Sequence, residues 1–354
     1  MPIVTSQDST ATSEKPIRTM EDFAAFVGLS RPTVSKYFND PHSVRPRTRE
    51  VIEAAIRVSG FQPNLFAVNL NRRRTNILGL VMPHIDPFYA ELRRRIESIA
   101  EQSGYLCFSL SSDGNPELEQ RAIETFKSLN VAGAIIAPVG IRSHHAALES
   151  LGRSIPLVYV DSPLDESSSF VGTNNRQSFE LIVDYLIRSG EPPCYLPMPS
   201  VNNNAIARQA AYVAAMERVG LEPRVLPVTP VETWDFERFA FEESVRIVRD
   251  GGFPTATVLC ACDRLAFGVL AACFQAGLRI GHGLDIRVAG HDDQPLSRYT
   301  CPPLTTVAQN TGEIGRLAID LLFQKMGDDV PVPPAADGSE RILLNAELML
   351  RSSA

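Results

Sequence analysis

Residues 19–39 read TMEDFAAFVGLSRPTVSKYFN, and the punctuation of this stretch decides what the first part of the chain becomes. Thr19 followed by Asp22 has the form of a capping box, in which the hydroxyl accepts an orphan backbone N–H and the carboxylate answers from the first turn. A helix is expected to start there and to bury Phe23, Ala24, Phe26 and Val27. Gly28 ends it, since a residue without Cβ adopts the left-handed conformation readily. Ser30 can cap a second helix over 31–39, with Pro32 in the first turn, where no intrahelical hydrogen bond is lost. Two short helices across a glycine turn make a helix-turn-helix. A third helix over 46–59, carrying Val51, Ile52, Ala55, Ile56 and Val58, would close a three-helix core.

Charge follows the same division. The whole chain carries −7, yet from Lys15 to Thr75 eleven Lys and Arg face five Asp and Glu, an excess of six that leaves about −13 on the remainder. A basic arm on an acidic body suits a polyanion such as DNA, although a solvated basic face would look the same on charge alone. With 354 residues, 44% apolar and 21% charged, the chain is too long for one ordinary core and reads as a soluble protein of two or three domains. No apolar run is long enough to span a bilayer, and the polar start MPIVTSQDSTATSEK lacks an export signal, so a cytoplasmic protein is expected. The six cysteines include no CxxC pair; Cys260 and Cys262 have no further ligands nearby, so they read as buried thiols and no metal or other cofactor is expected.

Beyond residue 76 short β-rich runs alternate with amphipathic helical stretches. Strands are expected at 77–82, 105–110, 134–137, 157–160, 194–197, 256–261 and 286–289, and helices at 88–103, 117–129, 175–189, 205–219, 236–250 and 264–276. This alternation predicts an α/β fold of doubly wound parallel sheets, and the strand number exceeds one compact sheet, which predicts two lobes. Ligand then belongs in the cleft at the carboxyl ends of the strands. The proline-rich run at 330–338 reads as a loop.

At the level of motifs the chain resembles the lac/gal repressor family of bacterial transcriptional regulators. The resemblance rests on the 19–39 stretch, GFQPN (60–64), TNILGLVMP (75–83), DPFYAEL (86–92), CDRLAFG (262–268), AGHDDQPL (289–296), PPLTTV (302–307) and a closing strand LNAEL (344–348). Residues 1–17 lack periodicity and read as a disordered tail; the resemblance implies a helix-turn-helix head (18–63), a hinge helix and linker (64–75), and a periplasmic-binding-protein-like effector domain (76–354). Its first lobe would take 76–172 and 306–328, its second 173–305 and 329–354. A homodimer on near-palindromic double-stranded DNA is implied, and the lack of a heptad tail after the last strand favours a dimer over a tetramer. Such a regulator would be nucleoid-associated when bound.

For DNA reading, residues near the start of the second helix face base edges in the major groove. Arg31 can present a two-pronged donor to guanine, and Lys36 stands where the family carries an arginine. Pro32 offers an apolar contact at most, while Thr33, Ser35 and Asn39 suit phosphates; for Thr33 and Ser35 plain surface hydroxyls are the alternative. Asn64 to Asn71 is too short to be helical alone, so it would order only when two copies pack on DNA. By resemblance Leu70 wedges between base pairs in the minor groove with Ala67 packed nearby and Asn64 at the hinge start; a flexible linker with an incidental leucine is the alternative.

The resemblance also implies an effector cleft of Asp86, Phe88, Asp161, Asn175, Arg208, Trp234, Asp263, Asp292 and Gln309. Carboxylates and an arginine bind sugar hydroxyls and an aromatic face covers a ring, so a sugar or polyol is implied. Trp234 sits in a polar stretch, as a pocket wall or as core; Asp263 and Asp292 could instead hold loops together. The family pattern is broken at three places: DPFY is one residue shorter, Cys262 replaces an asparagine, and Asn174 and His291 replace an Asp and an aromatic, which suggests a ligand less polar on one side. An exported solute-binding protein would not need residues 18–74, and an enzyme is disfavoured because no GxSxG, P-loop, GxGxxG or HExxH motif is present, so no catalytic residue is named. Whether ligand releases or recruits DNA is open, because both signs use the same hinge. Leu70→Ala is expected to weaken binding to a specific duplex and to reduce its bend while leaving thermal stability unchanged; a bend of the same angle in the variant, read by circular-permutation gel shift, refutes the wedge.

Overall fold

The computed structural model describes residues 17–39, 41–63, 75–84, 86–328, 330–332 and 340–354. The chain divides into two compact units at Thr75/Asn76. In the first, helices α1 (Met20–Val27), α2 (Arg31–Asn39) and α3 (Pro46–Ser59) follow the expected bounds. Both halves of the Thr19/Asp22 capping box are formed, and Gly28 is left-handed at φ 71°. The Thr33 N–H reaches the Ser30 hydroxyl at 3.3 Å. Phe23, Val34 and Ile52 are fully buried, and Phe61 stacks on Phe23 at 4.5 Å between ring centres, a core member that the helix pattern did not reveal because it follows the last helix. Three expected core residues are instead exposed: Phe26 and Val51 by 49% and Val58 by 80%, since three short helices can cover only one stripe of each neighbour.

In the second unit, strands and helices alternate as β1 (Ile77–Met82), α4 (Pro87–Gln102), β2 (Leu106–Ser111), α5 (Pro116–Leu129), β3 (Gly133–Ile136), α6 (His145–Gly152), β4 (Leu157–Val160), β5 (Phe170–Thr173) and α7 (Asn175–Ser189). They continue as β6 (Cys194–Leu196), α8 (Asn203–Arg218), α9 (Phe236–Arg249), β7 (Thr257–Cys260), α10 (Asp263–Gln275), β8 (Arg287–Ala289), β9 (Thr306–Ala308), α11 (Thr311–Met326), β10 (Arg341–Leu344) and β11 (Glu347–Met349). The first lobe is a parallel sheet in the order β10-β5-β4-β3-β1-β2, and the second is a parallel sheet in the order β6-β7-β8. Strands such as ILGLVM are apolar on both faces because helices cover both, α4 and α11 on one side of the larger sheet and α5 and α6 on the other. At Gly79 a Cβ would stand 2.6 Å from the Phe126 ring, so the close approach of β1 to α5 requires glycine.

Two expectations change. The stretch 344–348 is not one closing strand: β10 joins the first lobe's sheet beside β5, whereas β11 pairs antiparallel with β9, Leu348 opposite Val307, on the core of the second lobe, so 306–308 joins the second lobe rather than the first. Residues 341–344 thus belong to the first lobe rather than the second, because the apolar Ile342 completes that lobe's core. The elements β5, β9, β10 and α11 were not named from the sequence; α11 is buried on most sides, so its amphipathic period is weak. Phe23→Ala, which empties the centre of the head's small cluster, is expected to cost about 3–5 kcal/mol and to abolish duplex binding, with the melting transition of the second unit unmoved in calorimetry.

Candidate functional site

Within the head, the second helix turns Val34 and Tyr37 inward and leaves Arg31, Pro32 and Lys36 exposed, with Thr33, Ser35 and Asn39 half-buried. Arg31 pairs with Glu21 of α1, both side chains more than half exposed. Such a pair is screened by water and yields readily to a stronger acceptor. The Thr33 hydroxyl lies 2.8 Å from that of Ser30, so it belongs to the helix cap first. Asn64, Ala67 and Leu70 lie outside the described residues.

In the second unit the loops at the carboxyl ends of β1, β4, β7 and β8 and the starts of α4, α8 and α10 converge on a cleft open in part to solvent. Seven of the nine expected residues line it: Asp86, Phe88, Asp161, Arg208, Trp234, Asp292 and Gln309. Asp86 caps α4, its Oδ1 accepting the Tyr89 N–H at 3.0 Å, and burial raises its pKa. Asp161 follows β4 in the left-handed region (φ 62°) and accepts the Tyr89 hydroxyl at 2.7 Å. Burial pushes its pKa up to about 6 against the pull of Arg208 and Tyr89.

Arg208, on α8, donates Nη1 to the Ala261 carbonyl at 2.8 Å and Nη2 to Asp292 Oδ1 at 2.9 Å. That same Oδ1 takes Gln309 Nε2 at 2.7 Å and faces His291 Nδ1 at 3.0 Å. Burial alone would raise the Asp292 pKa, but Arg208 and the other donors outweigh it and the net shift is downward, so the carboxylate stays charged. These three partners all fall on Oδ1. Trp234 lies between His84 and Phe236, its ring centre 6.2 and 5.7 Å from theirs, and Gly114 makes room for it: a Cβ there would stand 2.0 Å from the indole nitrogen. Trp234 is therefore a wall.

Two expected residues stand elsewhere. Asp263 is fully buried and accepts the Gln294 N–H at 2.8 Å together with the Ser297 and Thr306 hydroxyls, so it holds the loop after β8 rather than lining the cleft. Asn175 sits one layer behind, donating Nδ2 to Asn204 Oδ1 at 3.2 Å, and it is Asn204 that reaches the cleft. His291 also lies behind, stacked on Phe179 and 2.9 Å from the Ser178 hydroxyl. Burial first, then Arg208, push its pKa down to about 4, so a neutral ring donates from Nδ1 to Asp292 and does not make the ligand face apolar.

The residues not foreseen are Tyr89, Met198, Asn202, Asn204, Phe236, Arg264 and Gln294, while Cys262 takes its place as a buried thiol in the wall. Tyr89 and Arg264 were inside motifs already singled out, DPFYAEL and CDRLAFG, but only the fold tells which positions of a motif point inward. Among the described residues no cluster of His, Cys, Asp or Glu could hold a metal ion.

The arrangement offers donors and acceptors to one ligand. Arg208 and Arg264 line the cleft and each keeps a buried nitrogen without a partner, Nε and Nη1 respectively, and the carboxylates of Asp86, Asp161 and Asp292 line the same cleft. A hydroxyl is the simplest group that both donates and accepts.

Comparison with known proteins agrees with both units. Residues 19–64 match bacterial regulatory proteins of the lacI family, and 185–354 match the periplasmic binding protein-like domain. The chain is 30% identical over 341 residues to the ribose operon repressor of Escherichia coli, covering 95% of this chain and 99% of that protein. It is 26% identical to the HTH-type transcriptional repressor PurR of Histophilus somni, over 95% and 98%. Its structure matches that of the lac repressor dimer bound to operator and the anti-inducer ONPF, with a TM-score of 0.81, 25% identity and coverage of 96% and 99%.

Asp263 also predicts a pH dependence. Burial pushes its pKa up to about 7, so between the ordinary carboxylate range near 4 and that value the folded chain holds a proton that the unfolded chain releases. Its contribution to stability is complete at low pH and is lost as pH rises through 7. Asp263→Asn is expected to flatten the fall in melting temperature between pH 5 and pH 8; an unaltered slope refutes this.

Proposed function

Since the chain belongs to the lacI family of bacterial regulatory proteins, and is thus a DNA-binding transcriptional regulator controlled by a small-molecule effector, we propose that it is a repressor answering to a neutral sugar or polyol. The observation that carries the ligand reading is that two arginines with an unpartnered buried nitrogen, Arg208 and Arg264, line one cleft together with three carboxylates. A sugar hydroxyl satisfies both kinds of group, a flat apolar molecule neither. Asp86, Phe88, Asp161, Arg208, Trp234, Asp292 and Gln309 bind it, with Trp234 and Phe88 against the ring; the ribose operon repressor makes ribose the first ligand to try.

At the other end, residues 18–63 read DNA through Arg31, Pro32 and Lys36, with Ser35, Asn39 and Thr33 toward phosphates, and 64–75 form the hinge into the effector domain 76–354. Two copies hold a near-palindromic operator, as the lac repressor dimer holds its own. The bound protein is associated with the nucleoid. Ligand that binds one lobe arrangement more tightly shifts the population between DNA-gripping and released states, and only that difference in affinity can do so.

Selected duplexes titrated with the full chain test both halves. Affinity should fall steeply with salt, as phosphate contacts release counterions. Arg31→Ala should reduce the preference for the selected sequence by about tenfold, whereas Lys15→Ala should weaken all duplexes alike. Addition of ribose or another panel sugar should change the affinity. Equal losses in the two variants exclude base reading by Arg31, and indifference to every sugar excludes the ligand reading.

A further inference from the structure

Arg264, the second residue of α10, was not expected at the site and is held there by three independent contacts. Its Nε and Nη2 each lie 2.6 Å from an oxygen of the Glu237 carboxylate, and its plane stands over the Phe236 ring, 5.0 Å from the ring centre. This leaves the guanidinium no freedom to turn, because a bidentate carboxylate fixes both position and plane. The side chain is 9% exposed, lines the cleft, and its remaining nitrogen, Nη1, is buried without a hydrogen-bond partner. Across from it stands Asp86 Oδ2, 3.8 Å away, beyond hydrogen-bond reach. Asp86 caps α4 in the first lobe and Arg264 starts α10 in the second, so this gap spans the cleft.

We propose that Arg264 is an effector-reading residue, and that its Nη1 and Asp86 Oδ2 together hold one hydroxyl of a neutral polyol, which accepts from the first and donates to the second. An oxygen about 2.8 Å from both closes the 3.8 Å gap with roughly a right angle between its two bonds. Other groups fit only half of the pair. A ligand carboxylate would satisfy Nη1 but set a second anion beside Asp86, and an ammonium would satisfy Asp86 but face the arginine. Since its two partners sit on different lobes, the hydroxyl also joins them, so the same contact that selects the ligand favours the closed arrangement.

The assignment rests on the polyol reading of the cleft and adds to it the residue that selects one hydroxyl. Isothermal titration of the full chain tests it, with ribose, xylose, fructose, glucose and galactose, their singly deoxygenated analogues, and ribonate and galacturonate as probes. The wild type is expected to bind one neutral sugar, and Arg264→Met to bind it about ten- to hundredfold more weakly. One deoxy analogue should bind the wild type and Arg264→Met equally, because the hydroxyl and the arginine lose the same interaction. Arg264→Gln, which keeps a neutral donor, should fall between them and carries the test should the methionine variant prove unfolded by circular dichroism. Unchanged affinity for the parent sugar in both variants, or the same loss for every deoxy analogue with and without Arg264, overturns the proposal while leaving the polyol reading intact. A preference for ribonate or galacturonate that disappears with Arg264 overturns it in favour of an anion site. Failure of the wild type to bind any neutral sugar overturns the polyol reading itself, and the bridging hydroxyl with it.

Discussion

A carboxylate taken out of water keeps its charge only where donors replace the water, and Asp292 shows how much of this molecule is arranged to supply them. Arg208 comes from α8, Gln309 from the segment between β9 and α11, and His291 from its own loop, yet all three meet one oxygen within 3.0 Å. Gln309 in turn accepts the Thr173 hydroxyl at the end of β5, so the charge at the centre of the cleft is tied to the first lobe's sheet. The arginine and the carboxylate are each more than 89% buried, which makes the pair a positioning device rather than a source of net stability.

Around that pair the cleft divides its polar groups by role. Asp263 spends its acceptors on the loop that carries Gln294 and Ser297, and Asn175 spends its amide on Asn204. Arg208 and Arg264 each keep a buried nitrogen without a partner and line the cleft beside the carboxylates of Asp86, Asp161 and Asp292. Trp234 closes one side, stacked against His84 from the first lobe and Phe236 from the second, and Arg142 pairs with Glu232 at 3.0 Å nearby. Wall and ion pair thus both join the two lobes across the cleft.

The head works on a different balance. Its core is small, centred on Phe23, Val34, Ile52 and the stacked Phe61, and the face carrying Arg31, Pro32 and Lys36 is left polar and open. Charge asymmetry made that face legible early, since an excess of basic residues within 15–75 stands against an acidic remainder.

Local signals carried far wherever the deciding physics is local. The Thr19/Asp22 capping box, the glycine stop at 28 and proline at the start of helices are chosen by backbone groups a few residues away, and those helices stand where they were expected. Alternation of apolar strands with amphipathic helices likewise sufficed for parallel sheets and a two-lobed body. What residues 341–349 would do was beyond such signals: two strands of similar composition, separated by two residues, join different sheets, and only the room left in each core decides which. The same holds at the cleft. Sequence named Asp263 and Arg264 as one motif, but a helix turns successive side chains about 100° apart, so tertiary packing alone sent the carboxylate inward to brace a loop and the guanidinium into the cleft wall.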